Sequence, residues 1–203
     1  MIFCLYEFVM NKDATANFEV SRSTEEDQSS ILNLLERSKG LNLSKEERAK
    51  HGFVQGTMDK SLLTAFQNGL GVYIIKENQK VIAVAFASKA GIMDKGPIVE
   101  AMNVVRNEFE GLPASNIFLY GPVAVDADFK GLGLLTKMLV CICSDVSKDF
   151  ERGLAFVDAD NKLSASIHQH YFGEATATFL YNNRKYFAFL FDPKEIVSRY
   201  NGR

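Results

Sequence analysis

Residues 123–136 read Val-Ala-Val-Asp-Ala-Asp-Phe-Lys-Gly-Leu-Gly-Leu-Leu-Thr, and this stretch decides the fold. An apolar strand runs into a turn that contains Lys130, Gly131 and Gly133, and a helical pattern follows the turn. Glycine lets the backbone turn sharply and approach a ligand closely. The first N–H groups of a helix have no partner inside the helix and lie at the positive end of its dipole. The stretch therefore predicts an anion-binding turn that suits a phosphate group.

The composition is typical of one soluble globular domain. The chain has 203 residues, of which 47% are hydrophobic and 24% charged, so we expect a single domain over residues 1–203. The formal net charge of −2 predicts no general basic surface, which argues against nucleic acid and anionic membranes as partners. No apolar run approaches the roughly 20 residues that a membrane-spanning helix needs.

The N-terminal segment and the cysteines favour a cytoplasmic protein. Residues 1–10 lack the basic start and the small-residue cleavage site of a signal peptide, so residues 1–16 are expected to form a flexible start or an extra strand. The cysteines Cys4, Cys141 and Cys143 are odd in number, which favours reduced thiols. They spell out no metal site, and none is expected.

Turn signals predict two hairpins and one bulge. The polar residues 77–80 and the pair Asn182-Asn183 each separate two apolar runs, which predicts antiparallel hairpins. Proline cannot donate to a strand ladder, so Gly121-Pro122 predicts a bulge inside the strand at 117–125. These features indicate an α/β (α+β) domain with a mixed sheet covered by helices.

The apolar spacing places the remaining elements. Strands are expected at 18–21, 72–76, 81–87, 117–125, 154–157, 176–181 and 186–191. Helices are expected after residues 23–27, at 45–50, 62–68 and 97–109, after the glycine turn, and from Asn161 to about Tyr171. The helix after the glycine turn is expected to bury Leu135, Met138, Leu139, Ile142 and Val146.

The strand, turn and helix resemble the signature of the GNAT superfamily of acyl-CoA-dependent N-acyltransferases. Val123-Ala124-Val125 takes the place of the family's Leu-x-Val, Lys130 stands at its Arg/Gln position, and Gly131 and Gly133 stand at its turn glycines. Two positions depart from the pattern. Lys130 keeps the charge of arginine without its planar fork, and Leu135 is bulky where the family usually has glycine or alanine.

The resemblance implies a fold and a cofactor. It implies a mixed, mostly antiparallel sheet of about six to seven strands, with a central strand pair splayed apart by the bulge. The backbone at Val123, Ala124 and Val125 would pair with the pantetheine arm of acetyl-CoA, the acyl donor. The turn amides would hold the pyrophosphate, at Lys130, Gly131, Leu132, Gly133, Leu134, Leu135 and Thr136.

A second stretch, Asn161-x-x-Ser164-x-x-x-His168, resembles the family pattern at the start of the last helix. In that pattern the asparagine contacts the cofactor arm and the aromatic residue points toward the sulfur, so Asn161 and Ser164 are predicted cofactor residues. Because Asn161, Ser164, His168 and Tyr171 recur at three- and four-residue steps, they share one helix face. His168 is the candidate general acid, with Tyr171 as its substitute.

The general base is less well defined. Tyr120 on the strand that enters the bulge, and Asp158 and Asp160 at the end of the next strand, would face or flank the cleft of such a fold. None of the three has a diagnostic spacing, so a solvent chain that ends on one of them is an equal alternative.

These residues predict an acetyltransferase of the EC 2.3.1 type. It would move the acetyl group of acetyl-CoA to a primary amine by direct attack of the amine on the thioester. The alternative is a non-catalytic module that binds or senses CoA, which Leu135 and the undefined base favour. A dinucleotide-binding oxidoreductase ranks last, because the third glycine of that fingerprint is missing.

The acceptor has no motif of its own. A small-molecule or peptide amine is expected, with a site shaped by residues 23–71 and 97–109. The sequence leaves the oligomeric state open, a homodimer included.

Overall fold

The structure is a computed structural model and describes residues 18–109 and 111–200. Within these residues the strands are β1 Val20–Arg22, β2 Gly71–Glu77, β3 Lys80–Lys89, β4 Ile117–Val125, β5 Arg152–Asp158, β6 Ala177–Tyr181 and β7 Arg184–Phe191. The helices are α1 Gln28–Arg37, α2 Lys45–His51, α3 Lys60–Asn68, α4 Pro97–Glu108, α5 Leu134–Val146, α6 Lys162–Phe172 and α7 Pro193–Tyr200. The expectation for residues 1–16, with Cys4, falls outside the described residues.

The strands form one seven-stranded sheet in the order β1-β2-β3-β4-β5-β7-β6. Every neighbouring pair is antiparallel except β4 and β5, which are parallel. The predicted mixed, mostly antiparallel sheet is therefore confirmed. Both predicted hairpins are present as well, and Asn182 and Asn183 adopt the positive φ angles of 48° and 59° that a tight hairpin turn requires.

Helices cover both faces of the sheet. Helices α5 and α7 lie on one face, over a core that includes Phe118 and Tyr120 of β4. Helices α1, α3 and α4 cover the other face, where Ile117 and Leu119 are buried. Successive residues of a strand point to opposite faces, so β4 contributes to the cores on both sides.

The buried face of α5 differs by one residue from the prediction. The prediction of Leu135 as a core residue is wrong: Leu135 is half-buried, and Leu134 takes its place with 2% exposure. Because α5 begins at Leu134, the steps of four residues run from Leu134 through Met138 to Ile142. Cys143 is also buried on this face, and Cys141 is half-buried; both are free thiols.

Helix α7 was not predicted from the sequence. It spans eight residues from Pro193 and buries Ile196 and Tyr200 against the α5 side of the sheet. No helix in the described ranges is long and apolar enough to cross a membrane.

Candidate functional site

The two central strands separate halfway along their length. The parallel pairing of β4 with β5 covers residues 117–119 against 152–154 and ends at Leu119 and Leu154. Beyond that point β4 continues in register with β3, while β5 continues in register with β7 up to Asp158. A gap therefore opens between β4 and β5, and the predicted splayed strand pair is confirmed.

The predicted bulge lies where the gap begins. Ala85 of β3 faces Val123, and Ala87 faces Tyr120, so Gly121 and Pro122 on β4 lie opposite a single residue of β3. Gly121 has a φ of 116°, which glycine adopts far more readily than other residues. An extra residue in one strand bends that strand and increases its twist. The bulge accordingly directs the end of β4 away from β5.

The glycine turn exposes a run of main-chain donors. Gly131 and Gly133 have φ angles of 83° and 71°, and Gly133 is the N-cap of α5. The first bond into the helix runs from the Lys137 N–H to the Gly133 carbonyl. Among the described residues, the N–H groups of residues 131–136 donate to no protein acceptor. These donors lie at the positive end of a 13-residue helix, which favours an anion.

The Lys130 ammonium contacts a neighbouring helix. Its Nζ donates to the carbonyl oxygen of His51, the last residue of α2, at 2.8 Å. Burial lowers the pKa of Lys130, and the nearby Asp126 carboxylate acts in the opposite direction. The predicted role of Lys130 in holding a pyrophosphate stays a prediction.

Asn161 and Ser164 shape the start of α6. The Asn161 Oδ1 accepts from the Ser164 N–H at 3.4 Å, so Asn161 caps the helix as predicted. The Asn161 Nδ2 donates to the Phe53 carbonyl at 2.8 Å, and the side chain is 3% exposed. Both ends of this amide therefore have partners inside the protein.

His168 is held as a neutral imidazole. Its Nδ1–H donates to the Ser164 carbonyl at 2.7 Å, which leaves Nε2 as the acceptor nitrogen. The ring contacts Phe172 and Phe189, with centroid distances of 5.7 and 5.4 Å. Burial lowers the pKa of His168, against the effect of the Ser164 carbonyl. His168 thus carries no extra proton at neutral pH, and its assignment as the acid stays a prediction.

Tyr171 links the two predicted binding segments. Its hydroxyl forms a 2.6 Å hydrogen bond with Thr136 Oγ1 in the first turn of α5. Burial raises the pKa of Tyr171, against the effect of the Thr136 hydroxyl. The phenol therefore keeps its proton at neutral pH beside the glycine turn.

Tyr120 carries an unpaired buried hydroxyl. The side chain is 7% exposed, its oxygen has no hydrogen-bond partner among the described residues, and its ring contacts Phe172 and Phe191. Burial raises the pKa of Tyr120 well above the usual value for tyrosine, so the phenol stays protonated. A buried polar atom without a partner is uncommon, and this one lies next to the bulge.

Asp158 forms a buried cluster that the sequence did not indicate. The carboxylate is 3% exposed, and its Oδ2 accepts from Gln55 Nε2 and from Arg184, each at 2.6 Å. Its Oδ1 accepts from the Asp160 N–H, while the Asp160 side chain is exposed. Gln55 is 103 positions from Asp158 in the chain, so no local signal could have paired them.

One cavity borders the candidate site, and a second lies apart from it. A small one of about 30 Å³ is lined by Pro122 of the bulge together with Leu35 of α1, Lys39 and residues 54–58. A broad polar hollow of about 680 Å³ lies along α4 and contains none of the predicted site residues.

The residues present fit a CoA-type ligand in three ways. The free N–H groups of 131–136 suit a diphosphate, and the gap between β4 and β5 offers an unpaired strand edge. Tyr120, whose hydroxyl is unpaired, is the first residue of β4 beyond the end of its pairing with β5. No group of His, Cys, Asp or Glu in the described ranges could hold a metal ion.

Sequence comparisons return no relative. No protein-family profile matches the chain. No curated protein matches it either.

Solved structures are similar in fold at low sequence identity. An N-acetyltransferase from Staphylococcus aureus Mu50 is 16% identical, with a TM-score of 0.53 over 88% of this chain and 99% of that one. The protein yncA from Salmonella typhimurium, solved with its cofactor acetyl-CoA, is 14% identical, with a TM-score of 0.58 over 88% and 95%. The ribosomal-protein-S18-alanine N-acetyltransferase from Escherichia coli is 12% identical, with a TM-score of 0.52 over 86% and 93%. The chain has the fold of the GNAT acyl-CoA N-acyltransferases.

Proposed function

We propose that this protein is an N-acetyltransferase that moves the acetyl group of acetyl-CoA to a primary amine. The observation that carries the proposal is the juxtaposition of two features. The gap between β4 and β5 opens beside the free N–H groups of residues 131–136. The first feature suits an extended amide-containing arm and the second suits a diphosphate, and CoA contains both.

The strand edge that faces the gap supports the binding of the pantetheine arm. The Asp126 N–H donates to the Ile82 carbonyl of β3 at 2.8 Å. Because backbone groups alternate between the two edges of a strand, those of Val123 and Val125 lie on the edge toward β5. Beyond Leu119 that edge pairs with no strand of the described residues. Its N–H and C=O groups can therefore pair with the amides of a ligand, as added strands do.

The glycine turn would hold the diphosphate through main-chain donors. Gly131, Leu132, Gly133, Leu134, Leu135 and Thr136 contribute their N–H groups. Leu134 takes part through its backbone alone, since its side chain is buried in the core. Lys130 adds a positive charge at the start of the turn. Asn161 and Ser164 border the other side of the gap at the start of α6.

When bound, acetyl-CoA supplies the acetyl group as a reactive thioester. The amine nitrogen forms a bond to the acetyl carbon as the carbon–sulfur bond breaks, the nitrogen loses a proton, and the sulfur gains one. Tyr171 is the better proton donor of the two candidates, because its phenol is protonated at neutral pH and hydrogen-bonds to Thr136 in the first turn of α5. His168 is neutral and donates its N–H to the main chain.

The proton of the amine would pass to a solvent chain. Tyr120 is a poor base because burial keeps its phenol protonated. The Asp158 carboxylate is already paired with Arg184 and Gln55, and it lies at the far end of β5. A solvent chain that ends at Asp158 or at the exposed Asp160 fits this arrangement best.

The proposal is tested by calorimetry and by thiol release. Wild-type protein is expected to bind acetyl-CoA saturably and to release free thiol when a suitable amine is supplied. Gly131→Asp should abolish binding, because the new carboxylate repels the diphosphate and a side chain is strained at a φ of 83°. The absence of any CoA binding by the wild-type protein at millimolar concentration contradicts the proposal.

The second candidate function is CoA binding without catalysis. It is favoured by the state of His168, the first candidate acid, which is neutral and gives its one ring N–H to the Ser164 carbonyl. This module would bind CoA and release no thiol across a broad panel of amines. Turnover with any of these amines rejects it.

A further inference from the structure

We call residues 51–55 the strap. It begins at the last residue of α2 and crosses between the two sides of the candidate cofactor site. On one side the His51 carbonyl accepts from Lys130 of the glycine turn at 2.8 Å. On the other side the Phe53 carbonyl accepts from Asn161 of α6 at 2.8 Å. Gln55 then donates to Asp158 at the end of β5 at 2.6 Å. Three tethers thus connect the strap to both borders of the gap.

The strap also packs closely on Asn161. Gly52 is buried with a φ of 66°, and a Cβ at this position would lie 3.1 Å from the Asn161 Oδ1. Glycine is therefore required for both the conformation and the close approach. On its outer side the strap is attached to the end of α1, where the Val54 N–H donates to the Ser38 carbonyl at 2.8 Å.

The strap contacts the same side chains that the proposed function assigns to the cofactor. Lys130 and Asn161 were predicted to bind CoA from the family pattern alone, and in this structure the polar atoms of both are hydrogen-bonded to the strap or to α6. Lys130 gives one of its three N–H donors to a strap carbonyl, and the Asn161 amide gives one of its two. Asn161 is also 3% exposed with the strap packed on it, so a ligand oxygen reaches its amide only when the strap moves. A ligand that uses these two side chains must compete with the strap.

We propose that the strap is an autoinhibitory element that must release Lys130 and Asn161 before CoA can bind in full. This inference rests on the proposed function. Strap closure reduces the population that is competent to bind, and the apparent affinity falls by the same fraction. The entering cofactor and the strap exclude each other from the two side chains, so the strap is displaced as the cofactor binds.

The first test weakens one tether and measures CoA affinity by calorimetry. Gln55→Ala removes the bond to Asp158 and leaves the predicted cofactor residues intact. We expect the Kd for CoA to fall by about threefold to tenfold, the range for the loss of one hydrogen bond. Gln67→Ala is the matched control, because Gln67 also forms side-chain hydrogen bonds but at Ser23, Thr24 and Gln28. This control should bind CoA as the wild type does.

The second test needs no variant. Trypsin can cleave after Arg48 and Lys50, both exposed on α2, whose last carbonyl is held by Lys130. Saturating CoA should speed cleavage after Lys50 by about threefold, because strap release frees the end of this helix. A ligand that enters a preformed groove slows cleavage instead. This cleavage measurement tests the inhibitory role of the strap even if Gln55→Ala does not fold.

The outcomes separate the strap from the proposed function. An unchanged Kd in Gln55→Ala, or slower cleavage with CoA, overturns the inhibitory role of the strap. Wild-type binding of CoA still supports the proposed function in that case. Failure of both the wild type and Gln55→Ala to bind CoA overturns the function itself. Binding by Gln55→Ala that is tighter than wild-type binding supports both.

Discussion

Replacing Tyr120 with phenylalanine should stabilise the protein and impair its activity at the same time. The hydroxyl is buried, it has no hydrogen-bond partner among the described residues, and burial raises its pKa well above the usual value. A buried polar group without a partner costs about 1–3 kcal/mol, so its removal should stabilise the folded state by about 1–2 kcal/mol. For a domain of this size that raises the melting midpoint by about 3–6 °C.

The ring of Tyr120 is expected to stay in place in this variant. It packs edge-on against Phe172 and Phe191, at centroid distances of 6.1 and 6.2 Å, and phenylalanine keeps those contacts. The change therefore isolates the hydroxyl. If that hydroxyl bonds to the ligand, CoA affinity or turnover should fall by about tenfold, the worth of one buried hydrogen bond.

Thermal melting followed by circular dichroism, together with calorimetry on the same samples, measures both effects. Tyr73→Phe is the matched control, because the Tyr73 hydroxyl donates to Asp145 at 2.7 Å. That variant should lower the melting midpoint and leave CoA affinity unchanged. A lower midpoint for Tyr120→Phe refutes the account of its hydroxyl as unpaired. A higher midpoint with unaltered CoA affinity and turnover refutes its role in the site.

Two further changes test the core and the pH dependence. Gly153→Ala should destabilise the protein by about 1–3 kcal/mol. The new methyl would lie 2.7 Å from Phe191 Cε1, and that ring is itself packed against other rings. A denaturant titration measures the effect, and an unchanged midpoint contradicts the prediction. Burial lowers the pKa of His168 below 6.5, so the unfolded chain binds the proton first and stability falls as the pH drops below 6.5. In His168→Gln the melting midpoint should therefore change less between pH 7 and pH 5. A pH profile as steep as that of the wild type rules out His168 as the cause.

Local signals in the sequence predicted the parts of the site that depend on backbone geometry. Gly131 and Gly133 mark the turn before α5, and Gly121-Pro122 marks the bulge, because glycine permits backbone angles that other residues avoid and proline fixes its own φ. The same kind of signal placed Asn161 at the start of α6. Such features are encoded within a few residues and can be read without knowledge of the fold.

Features that depend on distant contacts could not be predicted. One of the five residues predicted for the buried face of α5 was wrong, since exchanging Leu135 for Leu134 requires knowing where the helix begins. Helix α7 is too short for its spacing to stand out, and it forms because Ile196 and Tyr200 pack on the α5 face. The bond between Lys130 and the His51 carbonyl joins positions 79 apart. Only the folded structure brings these two elements together.

The parallel pairing between β4 and β5 is much shorter than the opening that follows it. Three residue pairs hold it, and it is the one pairing in the described sheet that connects β1–β4 with β5–β7. Beyond Leu119 the edge of β4 that faces the gap extends six residues to Val125, or about 20 Å. A rotation of about 3° at this pairing would move the far end of β4, about 20 Å away, by about 1 Å. We therefore expect the packing around Leu119 and Leu154 to set the width of the gap from a distance, so substitutions there would tune access without altering any group that is proposed to contact the ligand.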